Sequence, residues 1–172
     1  MTATDHDILT GITERHLVAL YGASTLLVHA QVLGPLAELQ ALAATQGFDL
    51  RVCSGFRSFD RQMIIWNEKL KGVRSTLDHD GRSLNLDPLS DWQKIQAVMR
   101  WSALPGASRH HWGTDLDIYD AAAMPEGYQI QLTPDEVEGP GIFSPMHNWL
   151  DSALVEDNSA LGFYRPYGKD RG

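Results

Sequence analysis

The sequence predicts an α+β fold in which a small antiparallel sheet carries helices packed against it, and three observations predict it. Apolar residues recur at spacings of three and four in several segments, short runs elsewhere alternate with a period of two, and turn-forming residues separate the two kinds of segment. With 172 residues, 43% of them hydrophobic, the chain is long enough to bury one core and has the size of a single domain. No repeat, low-complexity segment or Pro/Gly/Ser-rich linker divides it. One domain over residues 1–172 is therefore expected, with residues 1–30 as an N-terminal extension packed on or beside it.

Val32, Leu33, Leu36, Leu39 and Ala43 fall on one face of a helix over 32–45, with Pro35 in its first turn and Gly47 ending it. Phe48, Leu50 and Val52 then alternate with Asp49, Arg51 and Cys53, the pattern of a half-buried strand ending at Ser54-Gly55. Ser58 is placed to cap a helix whose apolar side carries Met63, Ile64, Trp66 and Leu70, together with Asn67, before Gly72 stops it. Asp78-His79-Asp80-Gly81 has the composition of a calcium loop, but its glycine comes too early and no glutamate closes it, so a hairpin turn is expected. Ser90 and Gln93 form a capping-box pattern, and the helix that follows presents Trp92, Ile95, Val98, Met99 and Trp101 until Pro105-Gly106. Trp66, Trp92, Trp101 and Trp149 are spaced as helix residues and read as core. Thr133-Pro134 and Ser144-Pro145 each read as an N-cap followed by proline, and the second opens a helix through Trp149, Leu150, Ala153 and Leu154.

Charge and composition exclude several function classes. A formal charge of -8, a pI near 5.2 and no basic block argue against nucleic acid or an anionic membrane surface as partner. No apolar run is long enough to span a membrane, and residues 1–10 are polar and acidic rather than a signal peptide, so a cytoplasmic location is the default expectation, and the cell envelope if the chain is exported. The single cysteine, Cys53, excludes an intramolecular disulfide and any zinc site built from several thiolates, and its ordinary reading is a small buried side chain. A metal here requires imidazole and carboxylate. No feature of the sequence specifies an oligomeric state.

The segment from Ser108 to Tyr119 is the one that offers such ligands. Polar and apolar residues alternate from Thr114, so a strand there directs Asp115, Asp117 and Tyr119 to one face. Gly113 allows the backbone to turn and bring His110 over that face, giving an imidazole and a carboxylate for one cation. Zinc suits this mixed set; nickel, cobalt and iron share its ligand chemistry, and calcium does not use histidine. The competing reading is a hydrogen-bonded His110 and Asp117 pair without metal. Asp115 is expected to orient a ligand or a backbone amide, and His111 to point elsewhere, beside the site or at the surface.

At these residues the sequence resembles the zinc D-alanyl-D-alanine carboxypeptidases and dipeptidases of the VanY and VanX type. Ser108, His110, Gly113 and Asp117 match a Ser-x-His-x6-Asp motif, and Ser54-Gly55-Phe56-Arg57-Ser58 with Gln62 matches a Ser-Gly-Tyr-Arg-Ser segment followed by glutamine. The resemblance implies Zn2+ as cofactor, His110 and Asp117 as its ligands, and a zinc site on the open face of the sheet. It also implies a peptidoglycan-derived peptide as substrate and Arg57 as the catalytic group that binds substrate and stabilises the oxyanion. Ser108 and Gln62 are then candidates for substrate binding, against the alternatives of a turn-capping serine and a solvated helix residue. Trp112 and Tyr119 are candidates for a peptide groove. Residues 162–167 resemble the stretch before the family's last motif, and Asp115 stands where many relatives have alanine.

That last motif, Glu-x-x-His, supplies the family's general base and third ligand and does not occur in these 172 residues: Glu156 has no histidine three residues on, and His147 no glutamate three residues before it. The expectation is a peptidase domain lacking its C-terminal Glu-x-x-His segment, with weak or no activity as it stands. Two function classes follow, a metallopeptidase cutting peptidoglycan stem peptides and a catalytically inactive metal-containing domain that binds peptidoglycan or peptide. A third, an interaction domain without metal, goes with the hydrogen-bonded reading of His110 and Asp117. A non-haem iron oxygenase fits poorly, because its His-x-Asp pair with a distant histidine is not found.

Overall fold

A computed structural model describes residues 3–20, 23–154 and 161–166. Glu156 and Tyr167, which the sequence reading used, lie outside the described residues. The elements are helix α1 (Ala3–Leu9), strands β1 (Leu17–Leu20) and β2 (Ala23–His29), α2 (Leu33–Thr45), β3 (Leu50–Ser54), α3 (Phe59–Leu70), α4 (Asp91–Trp101), β4 (Asp117–Asp120), α5 (Pro134–Val137) and α6 (Ser144–Ala153). The fold is α+β as expected, but its strands form two antiparallel pairs, β1 with β2 and β3 with β4, instead of one sheet. Among the described residues no helix is long and apolar enough to cross a membrane.

The chain folds as two compact units. The first comprises Met1–Ala30 and Gly55–Asp115, so the N-terminal thirty residues share a unit with α3 and α4. Here β1 and β2 pair with Leu17 opposite His29 and Val18 opposite Val28. Ser58 caps α3 by accepting from the Arg61 N–H at 3.2 Å, and Gly72 ends it with φ +70°. The buried face of α3 differs from the expected one: Gln62, Ile65 and Trp66 are buried, while Met63 and Ile64 are 38% and 46% exposed. The Trp66 indole donates to the carbonyls of Ser102 and Ala103, and Gln62 to that of Ala103, so polar anchoring rather than apolar spacing sets the rotation of the helix. The Ser90 and Gln93 capping box forms as predicted. Only Val98 of α4 is buried; Trp92 is 65% exposed and Trp101 37% exposed, which overturns their assignment to the core. The Trp101 indole instead donates to the Asp78 carbonyl at 2.9 Å. Asp78 stands in the expected hairpin, closed by a Leu77–Ser83 bridge, with Gly81 at φ +78°.

The second unit comprises Gln31–Ser54 and Leu116–Arg171. Helix α2 buries Leu36, Leu39 and Ala43, and β3 alternates buried Leu50 and Val52 with exposed Arg51, both as the sequence predicts. β4 is shorter than the predicted strand, beginning at Asp117, which pairs with Ser54 across a register shift. Asp120 is buried and accepts from the Asp49 and Ala122 amides, fixing both ends of this pair. Ser144 lies inside α6 and Phe143 precedes it, so the expected N-cap is displaced by one residue; the Ser144 hydroxyl accepts from Asn148 within the helix. Buried Glu136 accepts from the Tyr128 hydroxyl and the amides of Gln131 and Leu132 at 2.7–2.8 Å, so its charge is met by three donors.

Candidate active site

In the first unit the turn before α3 is held by several main-chain and side-chain hydrogen bonds. The Phe56 N–H donates to the Leu27 carbonyl at 2.7 Å and the Arg57 N–H to the His110 carbonyl at 3.0 Å. The Arg57 guanidinium donates through Nη1 to Gln62 Oε1 at 3.1 Å, and the Gln62 amide in turn donates to the Ala103 carbonyl at 2.6 Å. Gln62 is fully buried, so it is no solvated helix residue; its side chain bonds to Arg57. The guanidinium is thereby directed by a neighbour whose own amide is spoken for at both ends.

The residues Arg109–Trp112 form a single 3-10 turn, ended by Gly113 at φ +72°. A Cβ on Gly113 would lie 2.5 Å from Leu17 Cδ2 and 2.8 Å from the His29 nitrogen, so only glycine fits there. Successive residues of such a turn project roughly 120° apart, which separates the two histidines. His110 Nδ1 lies 2.9 Å from the Gly55 carbonyl oxygen. That oxygen only accepts, so Nδ1 carries the proton and Nε2 the lone pair that a metal ligand uses. His111 is fully buried, so of the two expected placements, beside the site or at the surface, the surface one does not hold. Its Nδ1 donates to the Arg57 carbonyl at 2.6 Å and its Nε2 accepts from the Gly106 amide at 3.0 Å. Burial pushes its pKa below the ordinary value, which keeps it neutral and preserves both bonds.

Ser108 is buried at the start of this turn, its carbonyl accepting from the His111 amide at 3.1 Å. Arg109 and Asp115 meet at 3.4 Å, each about a quarter exposed, at 26% and 28%. The Trp112 indole donates to the Leu9 carbonyl at 3.2 Å, and its ring is 39% exposed. His16 and His29 went unnoticed in the sequence because neither sits in a motif; their rings lie 5.9 Å apart, and His16 meets Phe56 edge-on at 6.2 Å.

In the second unit Asp117 opens β4, and its carbonyl accepts from the Cys53 thiol at 3.3 Å. Burial, aided by the Asp117 charge, pushes that thiol up to about 12, so Cys53 is a neutral, half-buried side chain and no thiolate ligand. Tyr119 meets Phe143 edge-on at 5.9 Å. His147 is pushed down to about 4, first by burial and then by the positive charge of Arg165, which bridges it to Asp151.

Asp78, His79 and Asp80 offer three donor atoms within 4.8 Å of one another. They already have partners: Asp78 accepts from the amides of Asp80 and Arg82, and Asp80 meets the Arg82 guanidinium at 3.0 Å. The group is a self-capped hairpin tip.

The fold is shared with the vancomycin resistance D,D-pentapeptidase VanY of a VanB-type cassette in complex with Zn(II), at a TM-score of 0.60 and 23% identity over 92% of this chain and 72% of that one. VanYB in complex with D-Alanine-D-Alanine gives 0.60 and 23% over 90% and 67%, and the LdcB LD-carboxypeptidase 0.57 and 17% over 91% and 60%. The chain thus shares its fold with these three solved structures. The family model for VanY, D-alanyl-D-alanine carboxypeptidase, matches residues 25–172, and the chain belongs to that family. Two uncharacterised proteins of Haemophilus influenzae (strain ATCC 51907 / DSM 11121 / KW20 / Rd) are also similar. One is 45% identical over 100 residues, 57% of this chain and 68% of its own, and the other 42% identical over 60 residues, 35% and 46%.

Proposed function

We propose that this chain is a zinc-dependent carboxypeptidase domain for peptidoglycan peptides ending in D-alanyl-D-alanine, with His110 and Asp117 as zinc ligands. Family membership supports the substrate class. The observation that carries the metal assignment is the His110 ring, whose Nδ1–H donates to Gly55 at 2.9 Å and so fixes the tautomer with its lone pair on Nε2. An imidazole and a carboxylate suit zinc, and the one thiol of the chain is protonated. Bound zinc supplies a water whose pKa is lowered toward ~7 and a Lewis acid for the scissile carbonyl.

The chain's own residues bind and orient. Arg57 brings the positive charge that suits the substrate's terminal carboxylate or the developing oxyanion, and Gln62 serves substrate binding by holding that guanidinium at 3.1 Å. Ser108 sets the start of the turn that carries His110. Asp115 draws Arg109 across the same turn and so steadies the ligand's orientation. The test is calorimetric titration of D-alanyl-D-alanine into the protein with and without Zn2+. The expected result is binding that requires zinc and falls roughly tenfold to hundredfold in Arg57→Ala, the value of a charged hydrogen bond. Equal binding without zinc, or binding indifferent to Arg57→Ala, overturns the assignment.

A further inference from the structure

We propose that His111 is a positioning residue for Arg57 and that Gly11 locks it, so that a segment preceding the span matched by the family model fixes the geometry of the substrate-binding guanidinium. The inference rests on the reading of Arg57 given above. The two histidines of one turn hold both polar groups of the Arg57 main chain: the His110 carbonyl accepts its N–H at 3.0 Å, and the His111 ring donates to its carbonyl at 2.6 Å. The other nitrogen of His111 is engaged by the Gly106 amide at 3.0 Å, so the fully buried ring is clamped at both ends. Such a ring offers no third function to a ligand or a proton; what it controls is where the Arg57 backbone sits.

Gly11 closes the clamp from the other side. A Cβ there would lie 2.4 Å from His111 Nδ1, 2.8 Å from its Cγ and 3.0 Å from the Phe59 nitrogen, and the residue has φ +74°. Its carbonyl accepts the Phe59 amide at 2.9 Å, two residues beyond Arg57. The Leu9 carbonyl takes the Trp112 indole at 3.2 Å, the neighbour of His111. Residues 9–11 therefore touch the Arg57 turn and the His110 turn at once, although the family match begins at residue 25.

The variants His111→Asn and His111→Gln separate positioning from simple structural support. The shorter asparagine amide reaches the place of Nδ1–H and keeps the bond to the Arg57 carbonyl, whereas the longer glutamine reaches toward Gly106 and gives that bond up. Nitrogen-15 spectra of the Arg57 amide and guanidinium, thermal melts, and titration of D-alanyl-D-alanine into zinc-loaded protein are the readouts. Both variants are expected to melt earlier; only His111→Gln, and likewise Gly11→Ala, displaces the Arg57 signals and weakens dipeptide binding about tenfold or more. Arg57 signals that respond alike to Asn and Gln overturn the proposal. In the unaltered protein His111 must appear as the neutral tautomer protonated at Nδ1, and the opposite tautomer equally overturns it. If unaltered protein fails to bind the dipeptide, the proposed function falls, while the tautomer and the Arg57 signals still decide the positioning role.

Discussion

Asp78-His79-Asp80 and Arg109-His110-His111 are both short polar turns of the same compact unit, and by composition alone the first is the better metal site. It gathers three donor atoms within 4.8 Å, yet His79 is 73% exposed and both carboxylates are engaged by their own hairpin. The second turn commits its histidines to three backbone partners, Gly55 and Arg57 in the turn before α3 and Gly106, and buries one of the histidines fully. Proximity of donors is common on an acidic surface. What prepares a residue for chemistry is a surrounding that dictates its tautomer and direction, and only the second turn has that.

The contrast predicts unequal costs. His111→Ala removes the partner of both the Arg57 carbonyl and the Gly106 amide and empties a fully buried site, and should lose about 3 kcal/mol in urea unfolding, against less than about 0.5 kcal/mol for His79→Ala. Similar losses for the two would erase the distinction. Gly11→Ala combines left-handed backbone strain with a collision and should cost about 2 kcal/mol or more. Gly47→Ala has the same strain at φ +87° with nothing within 4 Å of the new Cβ, and should cost only about 1 kcal/mol. Equal values would show that the ring is free to move away from Gly11. Ser58→Ala removes the cap of α3 and should cost about 1 kcal/mol, measurable by the same unfolding series.

A further effect, in the second unit, is one of pH. His147 titrates at about 4 in the folded protein against an ordinary 6.5, so the unfolded chain takes up its proton first as pH falls. Its contribution is constant above about 6.5, and stability drops as pH falls from there toward about 4. His147→Gln should flatten that stretch of the stability curve, and an unchanged slope would remove His147 from the account.

Much of this was legible from local pattern. The period-two run at Leu50 to Val52, the face of α2, the Ser58 cap and the Ser90–Gln93 box depend on neighbours within a few positions, and each forms as read. The β1–β2 pair was not legible, because Leu17–Leu20 is apolar throughout and shows no alternation. Nor were the buried roles of Gln62 and His111, whose partners Ala103 and Arg57 lie 41 and 54 positions away. The apolar side of α4 misled for the opposite reason: its spacing is helical, but Trp92 and Met99 remain exposed. The residues proposed for chemistry, Gln62 among them, came from the two motifs, while the contacts by which Gln62, His111 and Gly11 hold the Arg57 turn in place came only from three-dimensional structure.

The most direct test is a Zn2+ titration of the purified protein beside His110→Ala, Asp117→Ala and Asp78→Ala. The expected result is one equivalent of zinc, affinity lowered about tenfold or more by either of the first two substitutions, and no change from the third. Zinc that stays bound in His110→Ala and Asp117→Ala but is lost in Asp78→Ala would move the metal to the hairpin tip and contradict it.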